Sequence, residues 1–263
     1  MAQYNKTYNI IVVGAGHAGC EAALAAARMG CSVLLMAIDL DKVAAMPCSP
    51  SIGGMAKGQL VKEVDALGGQ MARITDRSAI QYKTLNTKKG AAVQSTRTQN
   101  DKQRYHREMK AVVEAQPRLD LKQMLVESLV VENHRVTGVV DQTGFGYAAR
   151  AVVLATGTFL DGLIHIGHTS TPAGRAGEFA APGLARNLAE LGFRLGRMKT
   201  GTPPRLHRAS IDFSHFEQQV TPDPRERFSL FTQEEVLPQR PSHIGYTNIR
   251  AHDLVRANLE RSA

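Results

Sequence analysis

Residues 46–58 read MPCSPSIGGMAKG, with Cys48 between Pro47 and Pro50, then the pair Gly53-Gly54 and the dipeptide Lys57-Gly58. Each proline fixes its own φ, so the sulfur is held within a narrow range of directions. A cysteine that only fills a core needs no such mount, whereas a nucleophilic thiolate gains from one. A second constellation is GAGHAG: Gly14, Ala15, Gly16, His17, Ala18 and Gly19. In this G-x-G-x-x-G spacing Gly14 permits a tight turn and Gly16 lets the backbone approach a pyrophosphate. Gly19 lets a helix pack closely on a strand. The free N–H groups at that helix start then face the anion, with His17 placed to touch the phosphates or what is attached to them.

The flanking residues must supply the elements. Residues 9–13 form an apolar β-rich run, residues 18–29 are Ala-rich and closed by Gly30, and CSVLLMA gives a second strand. This is a βαβ unit with the glycines at its strand–helix turn. A ribose-binding acid normally ends the second strand. Ala37 and Ile38 stand there, and Asp39, slightly late, is the candidate. Downstream, 58–69 predicts a short amphipathic helix and 97–117 a longer basic one stopped near Pro117. A string of short strands follows, ending in GYAARAVVLATG. A meander and a strand into Ala155-Thr156-Gly157 is how one large flavoprotein class completes its FAD domain, which adds Gly157 to the cofactor candidates. PGLARNLAELG and FRLGRMKTG predict a further helix and strand.

The expected class is α/β: an FAD-binding, Rossmann-like domain of glutathione-reductase type with a β-meander, over residues 1–202. From 203 the chain turns Pro-rich and aperiodic, which suits the start, over 203–263, of an inserted second domain left unfinished at Ala263.

Composition narrows the partners. The 263 residues carry a net charge of +8 and 43% hydrophobic residues. The excess charge favours a polyanion, nucleic acid first. Phosphate-contact candidates lie in KTLNTKKGAAVQSTRTQNDKQRYHR and KTGTPPR: Lys83, Lys88, Lys89, Arg97, Lys102, Arg104, Arg107, Lys199 and Arg205. Three cysteines at irregular spacing argue against a disulfide framework and for a reducing cytoplasm; Cys20 and Cys31 read as small buried hydrophobes. The polar N-terminus and the short apolar run after it predict neither a signal peptide nor a membrane span. His165 and His168 lack a third ligand in metal-like spacing, and no metal is expected.

GAGHAGCEAALAAARMG, PCSPSIGGMAKGQLVKEVDALGGQMA, ATGTFLDGLIHIG, GRAGE and GRMKTGTPPRL together resemble the MnmG (GidA) family of FAD-dependent tRNA-uridine modification enzymes. The likeness runs almost end to end, although the family's proteins are roughly twice as long. It implies carboxymethylaminomethylation or aminomethylation at C5 of the wobble uridine, using methylenetetrahydrofolate, glycine or ammonium, and flavin reduced by NADH. The resemblance also implies a homodimer, working in a hetero-tetramer with a GTPase subunit of the MnmE type. The family's phosphate turn falls on Gly14 to Gly19, and a backbone FAD contact on Val126. A further FAD contact, often serine in relatives, falls on Ala181. Cys48 becomes a candidate for the thiolate that adds at C6 of uracil, the family's second cysteine being the alternative attacker, with Lys57 and the start of the 58–69 helix favouring a Cys48 thiolate. Gly53, Gly54 and Gly58 would then leave room for a flat ring. The alternatives are a folate/FAD tRNA methyltransferase, a flavin oxidoreductase of small molecules, or a truncated module that binds FAD or RNA without turnover. In the first, the cysteine segment does not continue into SIGGMAKGQLVKE.

Overall fold

The computed structural model describes residues 3–220, 227–233 and 236–261. The β-rich opening run forms β1 (Tyr8–Val13). Helix α1 (His17–Arg28) buries Cys20, Ala23, Leu24 and Ala27, an i, i+3, i+4, i+7 stripe. Every residue of β2 (Val33–Ala37) is buried, as a strand covered on both faces must be. The chain then leaves this sheet through β3 (Ser51–Gly53), α2 (Lys57–Ala66), α3 (Met71–Ser78), β4 (Ala79–Leu85) and β5 (Ser95–Asn100). Helix α4 (Lys102–Ala115) returns it to β6 (Leu119–Gln123), β7 (Val126–Glu132), β8 (Arg135–Asp141) and β9 (Gly146–Leu154). A hairpin of β10 (Leu163–Ile166) and β11 (Thr169–Pro172) precedes α5 (Pro182–Glu190). The last elements are β12 (Glu217–Gln219), β13 (Ser242–Ile244) and α6 (Ile249–Arg256).

The main sheet runs β6-β2-β1-β9-β8-β7. Its first four strands are parallel, and β9, β8 and β7 form an antiparallel meander. Successive side chains of β1 feed opposite faces. Val12 joins Leu24, Leu35, Tyr105 and Met109 on one side, while Ile11 and Val13 join Val139, Tyr147, Leu184 and Leu188 on the other. A separate three-stranded sheet, β3-β5-β4, carries the wall behind Cys48.

Two sequence expectations shift. The basic helix begins at Lys102 and not at Arg97, because Asp101 caps it by accepting from the N–H groups of Gln103 and Arg104. Residues 95–100 instead pair as β5 between β3 and β4. The strand expected in FRLGRMKTG does not form: 193–207 is exposed and has neither helix nor strand. A strand exists only with a partner, and no described strand offers it one. The chain past 203 is stitched to β4, where Arg240 N–H donates to Ile80 O at 2.7 Å and Gln81 to Ser242 Oγ at 3.0 Å.

Candidate active site

At the end of β1 the chain turns on Gly14, whose φ is +103° and whose missing Cβ would strike the carbonyl of Ala155. A Cβ on Gly19 would strike the carbonyl of Gly14, so this glycine sets how closely α1 approaches its strand. A Cβ on Gly16 would meet nothing within 4 Å. The three roles read from the spacing therefore separate physically: two glycines are packed from inside and the middle one faces open space. The first turn of α1 holds no acidic residue to repel an anion, and its leading N–H groups lack intrahelical partners. Ala15 is buried beneath the turn and Ala18 exposed upon it. Ala155 N–H donates to Val13 O at 2.8 Å, which sets Ala155-Thr156-Gly157 beside the turn. Gly157 has φ +58° and open space around it.

Arg175, in the GRAGE segment, is the functional candidate that residue reading passed over. Its guanidinium pairs with Glu178 at 3.1 Å and lies 4.9 Å over the Phe159 ring, yet its Nε is buried without a hydrogen-bond partner among the described residues. Burial, followed by the charge of Arg175, holds His17 down to about 4. His17 is thus a neutral hydrogen-bonding group at ordinary pH, with Tyr105 OH 3.4 Å from its Nδ1. Cys20, behind the turn, is pushed up to about 12 by burial and is inert as a nucleophile.

The far end of β2 gathers two more candidates. Asp39 accepts from Asp41 N–H at 2.8 Å and leads into a short helical turn. Met124 N–H donates to Ala37 O at 2.8 Å, so the chain entering Val126 runs beside the same strand end. The Val126 side chain itself is buried in the core, leaving only its backbone for a ligand. Ala181 is also buried; its N–H donates to Phe159 O at 2.7 Å, and it precedes α5 without any side-chain cap.

Cys48 is half-buried, and its thiol donates to the carbonyl of Gly201 at 2.8 Å. The Nη2 of Arg205 donates to the carbonyls of Pro47 and Cys48 at 3.0 and 2.7 Å. Beside the sulfur stands this carbonyl, and among the described residues no hydrogen bond or ion pair joins it to Lys57, an exposed residue at the start of α2. The glycines after the cysteine also serve a different end from the one expected. A Cβ on Gly53 would strike Thr96 O and the ring of Phe228, and one on Gly58 would strike Ser95 Oγ. They admit the protein's own β5 and Phe228; only Gly54 has space beside it, with Arg97 Cδ the nearest atom.

The basic candidates are spread over several elements. Lys88 and Lys89 lie exposed in the turn between β4 and β5. Arg97, on β5, donates to Ser51 Oγ at 3.4 Å behind the cysteine loop. Arg104 lies past the C-terminal end of β5, in the first turn of α4, and is paired with Glu108 at 2.7 Å. Lys199 and Arg205 share the segment against Cys48. His165 shares a 2.8 Å hydrogen bond with Ser170, and no metal-holding cluster exists among the described residues. Nor is any described helix long and apolar enough to cross a membrane.

Residues 9–263 match the family described as glucose inhibited division protein A. The chain is 63% identical over 255 residues to the tRNA uridine 5-carboxymethylaminomethyl modification enzyme MnmG of Syntrophobacter fumaroxidans, covering 97% of this chain and 40% of that protein. The enzyme of the same name from Geotalea uraniireducens is 54% identical, covering 100% and 42%. The crystal structure of Aquifex aeolicus GidA superposes with a TM-score of 0.90 at 45% identity, covering 98% of this chain and 44% of that one. The chain therefore spans about two-fifths of the length of the curated relatives it matches, and it belongs to the glucose inhibited division protein A family.

Proposed function

We propose that this chain is the FAD-holding, thiol-bearing part of an enzyme that modifies C5 of the wobble uridine in tRNA. The observation that carries the reading is the glycine turn: Gly16 open to approach, unpartnered N–H groups at α1, and the orphan Nε of Arg175 nearby. These residues fit a pyrophosphate, with Gly14 shaping the turn while its own N–H is taken by Met36 O, the leading N–H groups of α1 and Arg175 as donors, and Asp39 and the Val126 backbone toward the adenosine. Bound FAD would supply the hydride chemistry of the one-carbon transfer. Cys48 is the proposed nucleophile. Its thiolate would add at C6 of uracil, moving the C5–C6 π electrons so that C5 becomes nucleophilic, and would leave again once C5 has bonded and lost its proton. The finer reading takes methylenetetrahydrofolate and glycine or ammonium as co-substrates and NADH as reductant. It also takes a GTPase of the MnmE type as partner, a homodimer as assembly and the cytoplasm as location.

Residues 1–202 are the FAD domain and 203–263 begin the second domain in this reading. The outer edge of β9 supports a domain completed by further sequence: it pairs with β8 only at Gly146–Ala148, and Val153 and Leu154 beyond are partly exposed.

The test grafts this chain in place of the matching part of a full-length relative, in a strain lacking its own family member. Mass spectrometry of tRNA nucleosides should recover the modified wobble uridine. Cys48→Ser in the same protein should retain FAD and lose the modification. A Cys48→Ser protein that still modifies tRNA would remove the thiol from the mechanism.

A further inference from the structure

Two arginines pin the exposed segment 193–207 across the C-terminal ends of the parallel strands. Arg197 donates to Asp161 O at 3.1 Å and to Asp161 Oδ2 at 3.2 Å, in the loop that follows β9. Arg205 donates to Pro47 O and Cys48 O, in the loop that follows β2. Between these anchors the carbonyl of Gly201 accepts a hydrogen bond from the Cys48 thiol. We propose that this segment is a strap latched over Cys48, with Arg205 as its positioning residue, and that an RNA phosphate capturing Arg205 releases it.

The chemistry of the contact gives the direction. Only a protonated thiol can donate to Gly201 O; a thiolate there would face a carbonyl oxygen with no proton between them. While the strap is seated, the sulfur is aimed at the protein's own backbone and kept from attack. The latch is weak by design of its partners, because Arg205 spends a full positive charge on two neutral carbonyls. A phosphate offers that guanidinium an oppositely charged, bidentate partner, adding an ion pair that two neutral carbonyls cannot supply. Lys199, exposed on the same strap, adds a second contact for the same strand. Binding the polyanion and freeing the nucleophile thus become one event, and the thiol is exposed when a base is at hand. The proposal rests on the reading of Cys48 as the attacking group, but its test needs no turnover.

The experiment is the rate of iodoacetamide alkylation at each cysteine of the purified chain, resolved by peptide mass spectrometry, with and without unfractionated tRNA. Arg205→Met keeps the stem and removes the donors; it should raise the Cys48 rate roughly tenfold, the scale of one lost charge-assisted latch. Arg205→Lys, which can still donate to both carbonyls, should stay close to the parent. Added tRNA should speed Cys48 alkylation in the parent and leave Arg205→Met unchanged. An unaltered rate in Arg205→Met would overturn the latch, as would an equal rise at Cys31, which would mean general loosening. An unchanged rate or protection of the parent's Cys48 on adding tRNA would overturn release by RNA. Any of these leaves the catalytic reading standing, since that falls only if Cys48→Ser still modifies tRNA.

Discussion

The carboxylate of Asp76 accepts the N–H of Phe228 at 2.9 Å across 152 residues of sequence, and its second oxygen accepts Ser229 N–H at 2.9 Å. Both residues of the pair are buried, and the Phe228 ring fills the space that Gly53 leaves by lacking a side chain. A late segment of the chain therefore braces the wall behind the cysteine loop. Phe228→Ala should destabilise the protein by about 3–5 kcal/mol through the cavity it opens, read as a lower urea midpoint. An unchanged midpoint would show that the brace is not part of the cooperative fold.

Helix α5 starts after Ala181 with no side chain to accept its first N–H groups. Ala181→Ser supplies an oxygen at the cap position, a change worth about 1 kcal/mol. The melting temperature should rise by about 2–4 °C. A fall would mean that the buried site cannot admit the hydroxyl.

His17 titrates near 4 in the fold against 6.5 when exposed. The unfolded chain takes the proton first, so His17 subtracts stability as pH falls from about 6.5 to about 4, by no more than about 3 kcal/mol. Hydrogen bonds from Lys6 and Tyr8 hold Asp120, and against its burial those from Thr143 and Phe145 hold Asp141, below the ordinary carboxylate value; their contribution is lost from about pH 5 downward, in parent and variant alike. Urea midpoints measured from pH 7 to pH 4 should decline less in His17→Asn than in the parent. Parallel curves would contradict the burial of this ring.

Lys88 and Lys89 project from a turn and Arg104 is already paired, which makes them separable as RNA contacts. Reversing both lysines to Glu should weaken tRNA binding and flatten the plot of log K against log salt by about 1 to 2. Arg104→Glu should change that slope less. An unaltered slope in the double variant would rule out the β4–β5 turn.

The sequence makes the glycine turn legible because its determinants are local: Gly14 is forced by φ, Gly19 by contact with Gly14, and the Ala-rich stripe of α1 by its period. Where the period is weak the reading slips, as in Arg97-Thr98-Gln99-Asn100, which tertiary pairing takes into β5. Gly53 and Gly58 look like room for a ligand, yet the atoms that claim that room come from Thr96, Ser95 and Phe228. Arg175 over Phe159 and Gly201 beside Cys48 depend on chain crossings that no spacing rule encodes. In Arg175 the signal was present only as the GRAGE segment, without a reason to single out its arginine.

Flavin titration of the purified chain, followed by absorbance and by quenching of flavin fluorescence, bears most directly on the glycine turn as a cofactor cradle. The parent should take up FAD. Gly16→Glu should take up none while keeping the parent's circular dichroism, because its Cβ meets nothing within 4 Å and its carboxylate repels the pyrophosphate. A Gly16→Glu chain that binds FAD like the parent, or a parent that takes up no FAD even in large excess, would contradict the account.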